Sequence, residues 1–353
     1  LVGSEMCIRD SSKVQVTITG VENGTELSMY KIIDIQIENG APKAPVYTWV
    51  TGVQNWVKDN YPSYIGENHE VTTEFKNLLE DVEKAKSFYE KMAAEIHRSP
   101  STIAITAAKT ATASAPSVTL TDIGLGYYLI CAKHGVEQVY TPTGFNIAPV
   151  EEEGTWSVND QTVTMKSSTP TIVKTVIDPT DTTVAITDSV CYQLTAQIPT
   201  YPEDASAITF AIGDKLSEGL TLKPDTIAVK EASGKEIAAT NYDVKKDPGK
   251  TAKLTDYTFE IGFKEAYIKA NPMLNVQVTY DAEVNDKALT MDALKNIAYI
   301  GYNHDPYDTQ SYKEKTTEKL VYTYGIKVLK VGESGTDILK NAEFTLSKDG
   351  TSL

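Results

Sequence analysis

The amino-acid sequence predicts an all-β protein, built as tandem Greek-key β-sandwiches with an amphipathic α-helix inserted in the first. Three observations carry that expectation. Apolar and polar residues alternate over many short runs, the pattern of half-buried strands. Gly, Pro, Asn and Asp residues that favour turns separate those runs. The chain also holds 43 Thr and 20 Tyr against 7 Phe and 3 Trp. That bias toward β-branched and amphipathic aromatic side chains suits strands with one wet face.

Taken in order, residues 1–12 (LVGSEMCIRDSS) have no periodicity and read as a non-native leader, the product of adapter read-through. Alternation begins at once after them. Val14, Val16 and Ile18 oppose Gln15, Thr17 and Thr19, and Asn23-Gly24 then predicts a turn into a second strand near 27–37. The two are expected to form an antiparallel hairpin. From 73 to 98 the period changes to three and four, with Phe75, Leu79, Val82, Phe88, Met92 and Ile96 on one stripe and Ser99-Pro100 as the stop. One helix of about five turns is expected there, covering an open sandwich edge. The Ala/Thr/Ser stretch 104–117 reads as a surface excursion. Further strands are expected at 117–120, 127–133, 140–147 and 162–165.

Ser167 to Pro170 marks a boundary. Beyond it strands are expected at 171–177, 190–198, 208–213, 227–230, 257–263, 275–284 and 297–303, with a short helix at 264–269. A second boundary falls near Tyr324-Gly325. With 353 residues and about 100–200 per domain, the division is 1–12 leader, 13–168 and 169–324 as two sandwiches, and 325–353 as the truncated start of a third.

Composition excludes several functions. Lys plus Arg is 33 against 48 Asp plus Glu, a net charge of −15, which repels phosphate backbones and anionic membrane faces. Nucleic acid is therefore a poor partner. No run of eighteen apolar residues occurs, so this chain has no membrane insertion, and its start lacks the basic-then-apolar pattern of a secretion signal. Cys7 goes with the leader, and the widely spaced Cys131 and Cys191 are best read as buried free thiols; His69, His97, His134 and His304 are scattered. No metal site and no cofactor are expected. Glu151, Glu152 and Glu153 form a like-charged run, more suited to a solvated face than to acid–base catalysis, and no nucleophile elbow or phosphate loop is present. A secreted enzyme is accordingly the weakest class.

Five segments in register carry a family likeness: PTIVKTV at 170–176, VCYQLTAQIP, FAIGDKLSEGLTL, VQVTYDAEVN and LKNIAYIGYNHDP. Together they resemble the isopeptide-forming second domain of sortase-assembled fimbrial proteins, the pilins of Gram-positive bacteria. GIKVLKVGESGTDILKNAEFTL at 325–346 is similar to the start of a Cna B-type domain, and VQVTITGVENGTELSMYKIIDI with GLGYYLI resembles the family's amino-terminal domain. The likeness implies an Ig-like, Cna-type fold and an extracellular structural role on a pilus or wall-anchored at the cell surface. Neighbouring pilin subunits, joined through a sortase, are then the partners. A stalk-type adhesin or minor pilin with a host surface ligand bound by its first domain is the alternative.

The resemblance also implies site residues. Lys174 is the strand lysine that attacks an asparagine side chain, Asn296 is that asparagine, and Asp214 is the assisting acid. A lysine is nucleophilic only when neutral; burial, expected among Val173, Val176 and Ile297, disfavours its charge and protonates the nearby carboxyl. Lys166, ten residues after Trp156 in VTMK, matches the sortase acceptor lysine, although the Tyr-Pro of that pattern is absent. Lys330 matches the bond-forming lysine of the third domain, whose partner would lie beyond Leu353. GLGYYLI lacks the glutamate that crosslinking domains carry there, so no such bond is expected in 13–168.

Overall fold

The computed structural model describes residues 13–38, 41–133, 137–152, 155–180, 182–246, 257–324, 330–345, 347–348 and 351–352. The leader with Cys7, His134, Glu153 and the strand expected from Ile326 lie outside the described residues.

Twelve strands precede residue 169: β1 (Val14–Thr19), β2 (Glu26–Glu38), β3 (Ala41–Trp49), β4 (Lys109–Thr112), β5 (Ser117–Ile123), β6 (Gly126–Lys133), β7 (Val139–Thr141), β8 (Thr143–Ile147), β9 (Val150–Glu152), β10 (Thr155–Ser157), β11 (Gln161–Thr164) and β12 (Lys166–Ser168). One sheet runs β11-β1-β5; a larger one runs β3-β2-β6-β8, with β4 also on β2. The alternating residues Val14, Val16 and Ile18 meet Leu27, Met29 and Ile130 in the core between these sheets.

β1 and β2 do not form the expected hairpin. β1 pairs with β5 and β11, while β2 pairs with β3, β4 and β6. The connection carries the chain across the sandwich, with Gly20 and Gly24 at positive φ and Thr25 wholly buried beside the Tyr140 hydroxyl. Alternation fixes that a strand exists and which face is inward, and leaves its partner open.

The helical insertion is richer than the expected single helix. α1 (Thr51–Asn60) is additional; α2 (Thr73–Glu80) and α3 (Val82–His97) divide the periodic stretch. Asp81 leaves helical geometry and its carboxylate accepts from the Glu83 and Lys84 backbone N–H groups, so it starts a new helix, and Val82, expected on the apolar stripe, is 63% exposed in its first turn. Trp49, Phe75 and Phe88 form the centre of the layer between these helices and the outer face of the larger sheet. Within 104–117, expected as an excursion, β4 adds to the edge of β2.

The next nine strands are β13 (Ile172–Asp178), β14 (Ser189–Gln197), β15 (Phe210–Leu216), β16 (Leu220–Glu231), β17 (Tyr242–Lys246), β18 (Phe259–Phe263), β19 (Asn275–Val284), β20 (Leu294–Asn303) and β21 (Tyr312–Val321), with α4 at Glu265–Ala270. They form two facing sheets, β13-β14-β19-β16 and β17-β18-β15-β20-β21, around one apolar core. β17 and β21 were not expected: Tyr242–Lys246 and Tyr312–Val321 are polar edge strands, the first mostly exposed and the second mostly half-buried, and both lack an apolar rhythm.

Candidate functional site

The inward face of β13 carries a charge where apolar residues are the rule. Lys174 is 1% exposed, between exposed Val173 and Thr175. Its register partner is Leu194 on β14, and Tyr192 and Tyr280 lie opposite each other one inward position along. The Lys174 ammonium sits 4.8 Å from the Tyr192 ring centroid and 5.4 Å from that of Tyr280. Two aromatic faces thus replace part of the water it has lost.

The facing sheet supplies the partners. Asp214 on β15 pairs with Ala298 on β20, and Asn296 lies two residues before Ala298, so both side chains point to the same face. Both are fully buried. On the opposite face of the strand, Gly213 lies under the Tyr299 ring, where a Cβ would fall 2.0 Å from that ring.

Lys174 Nζ donates to Asp214 Oδ2 and, at 2.8 Å, to the Tyr280 hydroxyl oxygen. Asn296 Nδ2 donates to that same oxygen at 2.8 Å. Asp214 Oδ1 and Asn296 Oδ1 are buried without a hydrogen-bond partner. Burial pushes the Lys174 ammonium down to about 8 against the pull of Asp214, and pushes the Asp214 carboxyl up to about 6 against the pull of Lys174. Both shifts narrow the gap that keeps the proton on lysine, so its transfer to aspartate, which would free the amine beside an amide carbon, costs less than it would in water. The cluster therefore holds an amine, a carboxyl group and a primary amide together out of reach of water.

Lys174, Asp214 and Asn296 come together from three strands on two sheets, as their assigned roles require. The surroundings differ from those expected. Val173 is 57% exposed and Ile297 half-buried, each on the opposite side of its strand from the site residue next to it, so neither walls the pocket. The walls are Tyr192 and Tyr280. Tyr280 was legible as an inward residue from the alternation of Val276, Val278, Ala282 and Val284 around it, although nothing in that rhythm says that it meets a lysine. Lys166 lies apart from the cluster, exposed at the start of β12 opposite Thr141, and Trp156 is half-buried on β10. Lys330 is exposed. Cys131 is buried and Cys191 only half-buried, both as free thiols. Among the described residues no group of three or more His, Cys, Asp or Glu side chains could hold a metal ion, and no helix is long and apolar enough to cross a membrane.

The fold of this chain is similar to that of solved Gram-positive major pilins. The T6 backbone pilin of Streptococcus pyogenes matches with a TM-score of 0.61 at 20% identity, over 89% of this chain and 65% of that one. The full-length major pilin SpaD of Corynebacterium diphtheriae matches at 0.51 and 14% identity, over 95% and 72%. In sequence, the chain is 29% identical over 192 residues to the trypsin-resistant surface T6 protein of Streptococcus pyogenes, covering 48% of this chain and 35% of that protein. The chain thus spans about a third of the curated relative that it matches. No family model matches.

Proposed function

We propose that this chain is a structural subunit of a sortase-assembled pilus on a Gram-positive cell surface, stiffened by a self-made amide bond between Lys174 and Asn296. The observation that carries this reading is the burial of Lys174, Asp214 and Asn296 in one cluster between two sheets. Residues 13–168 and 169–324 are the two sandwiches, and 325–353 opens a third of Cna B type that would use Lys330. Export and wall anchoring follow from the pilus role.

In the crosslinking step the Lys174 amine attacks Cγ of Asn296, an Nζ–Cγ bond forms, the Cγ–Nδ2 bond breaks and ammonia leaves. Holding amine and amide in contact gives an effective molarity on the order of 10⁵ M or more. Asp214 in its protonated form stabilises the charge growing on Asn296 Oδ1, an atom with no other donor. The reaction runs once per molecule and is no turnover catalysis. Its product ties β13 in one sheet to β20 in the other, so force along the chain cannot separate the sheets there, and reducing agents cannot cut the link.

Lys166 is proposed as the amine that a sortase joins to the next subunit; its exposure at a strand end supports access. Helices α1–α3 direct their aromatic residues inward and α3 contacts the segment after β14, through Lys91–Glu203 at 3.2 Å and the Glu203 N–H on Glu90 at 2.8 Å. This favours a bracing role for the insertion over a host-ligand site. Intact-mass measurement tests the crosslink. The expected mass is lower than the sequence mass by one ammonia, and a full-mass product would overturn the Lys174–Asn296 assignment.

A further inference from the structure

Turning the Lys174 ammonium into an amide nitrogen removes two protons from it, and the Asp214 carboxylate that contacts it can hold one. The other must reach the departing nitrogen. One oxygen in the cluster contacts both nitrogens: Tyr280 Oη, 2.8 Å from Lys174 Nζ and 2.8 Å from Asn296 Nδ2. We propose that the Tyr280 hydroxyl is the proton relay of the crosslinking reaction, a reading that rests on the Lys174–Asn296 bond proposed above.

The step balances as follows. Lys174 gives its first proton to Asp214 and becomes a neutral amine, and its lone pair forms the Nζ–Cγ bond. In the resting amide the Nδ2 lone pair is delocalised into the carbonyl, so Nδ2 only donates to Tyr280. Attack at Cγ makes Nδ2 pyramidal and frees that lone pair. Tyr280 then passes its own proton to Nδ2 while taking the second proton from Nζ. The Cγ–Nδ2 bond breaks, ammonia leaves, Tyr280 is again a neutral phenol and Asp214 ends protonated. Tyr280 thus gains a strong new acceptor only after attack, which is the condition for accelerating a reaction and not merely binding its ground state. Burial suits the task, because it holds the phenol neutral and so able both to give and to accept. Tyr192 is the internal control: its ring also faces the lysine, and its hydroxyl makes no hydrogen bond to the Lys174 amine.

The test uses the full chain recovered from inclusion bodies before it has folded, dissolved in urea and refolded by dilution, with folding followed by circular dichroism and crosslinking by intact mass. Tyr280→Phe keeps the ring and removes the relay; its crosslinking rate should fall by roughly 100-fold or more, the usual contribution of a positioned proton-transfer group. Tyr192→Phe should crosslink at the wild-type rate. Equal rates for Tyr280→Phe and wild type would overturn the proposal, as would equal slowing by both substitutions, which is the behaviour of a packing effect. A measurement on the unaltered chain covers the case in which Tyr280→Phe does not fold. In mixtures of light and heavy water, a two-proton relay gives a curved dependence of rate on deuterium fraction, and a straight line would overturn the relay. If the unaltered chain never loses ammonia, the crosslink itself fails, an outcome distinct from all of these.

Discussion

Residues 13–168 and 169–324 are both sandwiches of strands, yet they bury charge for different ends. In the first, the buried charged side chains among the described residues are Glu90 and Glu95, both on α3. Each caps backbone: Glu90 accepts from the Glu203 N–H at 2.8 Å, and Glu95 accepts from the N–H and hydroxyl of Thr102 at 2.6 and 2.7 Å. In the second, Asp305 likewise accepts from the Tyr307 N–H and Glu260 from the Tyr299 hydroxyl, whereas Lys174 and Asp214 face each other beside Asn296 with no backbone to serve. A carboxylate that binds backbone N–H groups is inert. A buried amine that can lose its proton next to an amide carbon is poised to react. The first region gains its rigidity from an aromatic cluster, and on this account the second gains it from a covalent bond.

The sharpest way to break this contrast is Asp214→Ala. It removes the acid and strands the lysine, so ammonia loss should stop. The loop-closure stabilisation, about 5 kcal/mol for a ring of about 120 residues, would be lost. About 3–5 kcal/mol more would go with the broken buried ion pair. Thermal unfolding of 169–324, followed by calorimetry, should drop furthest in this variant. Asn296→Ala comes next, because it forfeits the bond and keeps the Lys174–Asp214 pair; the loss should be about 5 kcal/mol. In the first region Phe88→Ala should cost about 3–5 kcal/mol, since Phe88 packs against Trp49, Trp56, Tyr61 and Phe75. It should leave ammonia loss untouched, and a variant that halted crosslinking would erase the contrast.

A smaller effect concerns pH. Lys174 lowers the Asp214 carboxyl, which burial has raised from 3.8 to about 6. Bond formation removes the lysine's charge, so in the crosslinked protein Asp214 should titrate higher than in Asn296→Ala, and infrared absorption of the protonated carboxyl should persist above pH 6. A folded value above the unfolded one stabilises fully below 3.8, and that stabilisation fades as pH rises through the folded value. A midpoint at or below that of Asn296→Ala would contradict the loss of the lysine's charge. The smallest effect on stability is expected from Lys166→Ala, which changes an exposed side chain. It should leave unfolding unchanged and abolish the sortase-dependent ladder of polymers; an intact ladder would move the acceptor elsewhere.

Much of this contrast was legible from residue order, in physically uneven ways. Alternation located β19 at its observed bounds and α4 to within a residue, because both bury one face against an apolar core. It missed β17 and β21, whose polar edges carry no such rhythm, and paired β1 with β2 because local turn residues do not reveal that a chain crosses between sheets. The lysine, aspartate and asparagine were found through their place in five ordered segments. Their aromatic walls were not, since Tyr192 and Tyr280 meet Lys174 only through the pairing of β13, β14 and β19. Each of the three interrupts an inward apolar row, Lys174 between Ile172 and Val176, Asp214 after Phe210 and Ile212, and Asn296 between Leu294 and Ala298, so the strand pattern alone does not say that they meet.

Proteolysis of the purified protein followed by tandem mass spectrometry tests the central claim most directly. The account predicts a branched peptide in which the segment bearing Lys174 is joined to the segment bearing Asn296, lighter than their sum by one ammonia and missing from Asn296→Ala. Recovery of both segments only as separate linear peptides of full mass would contradict it.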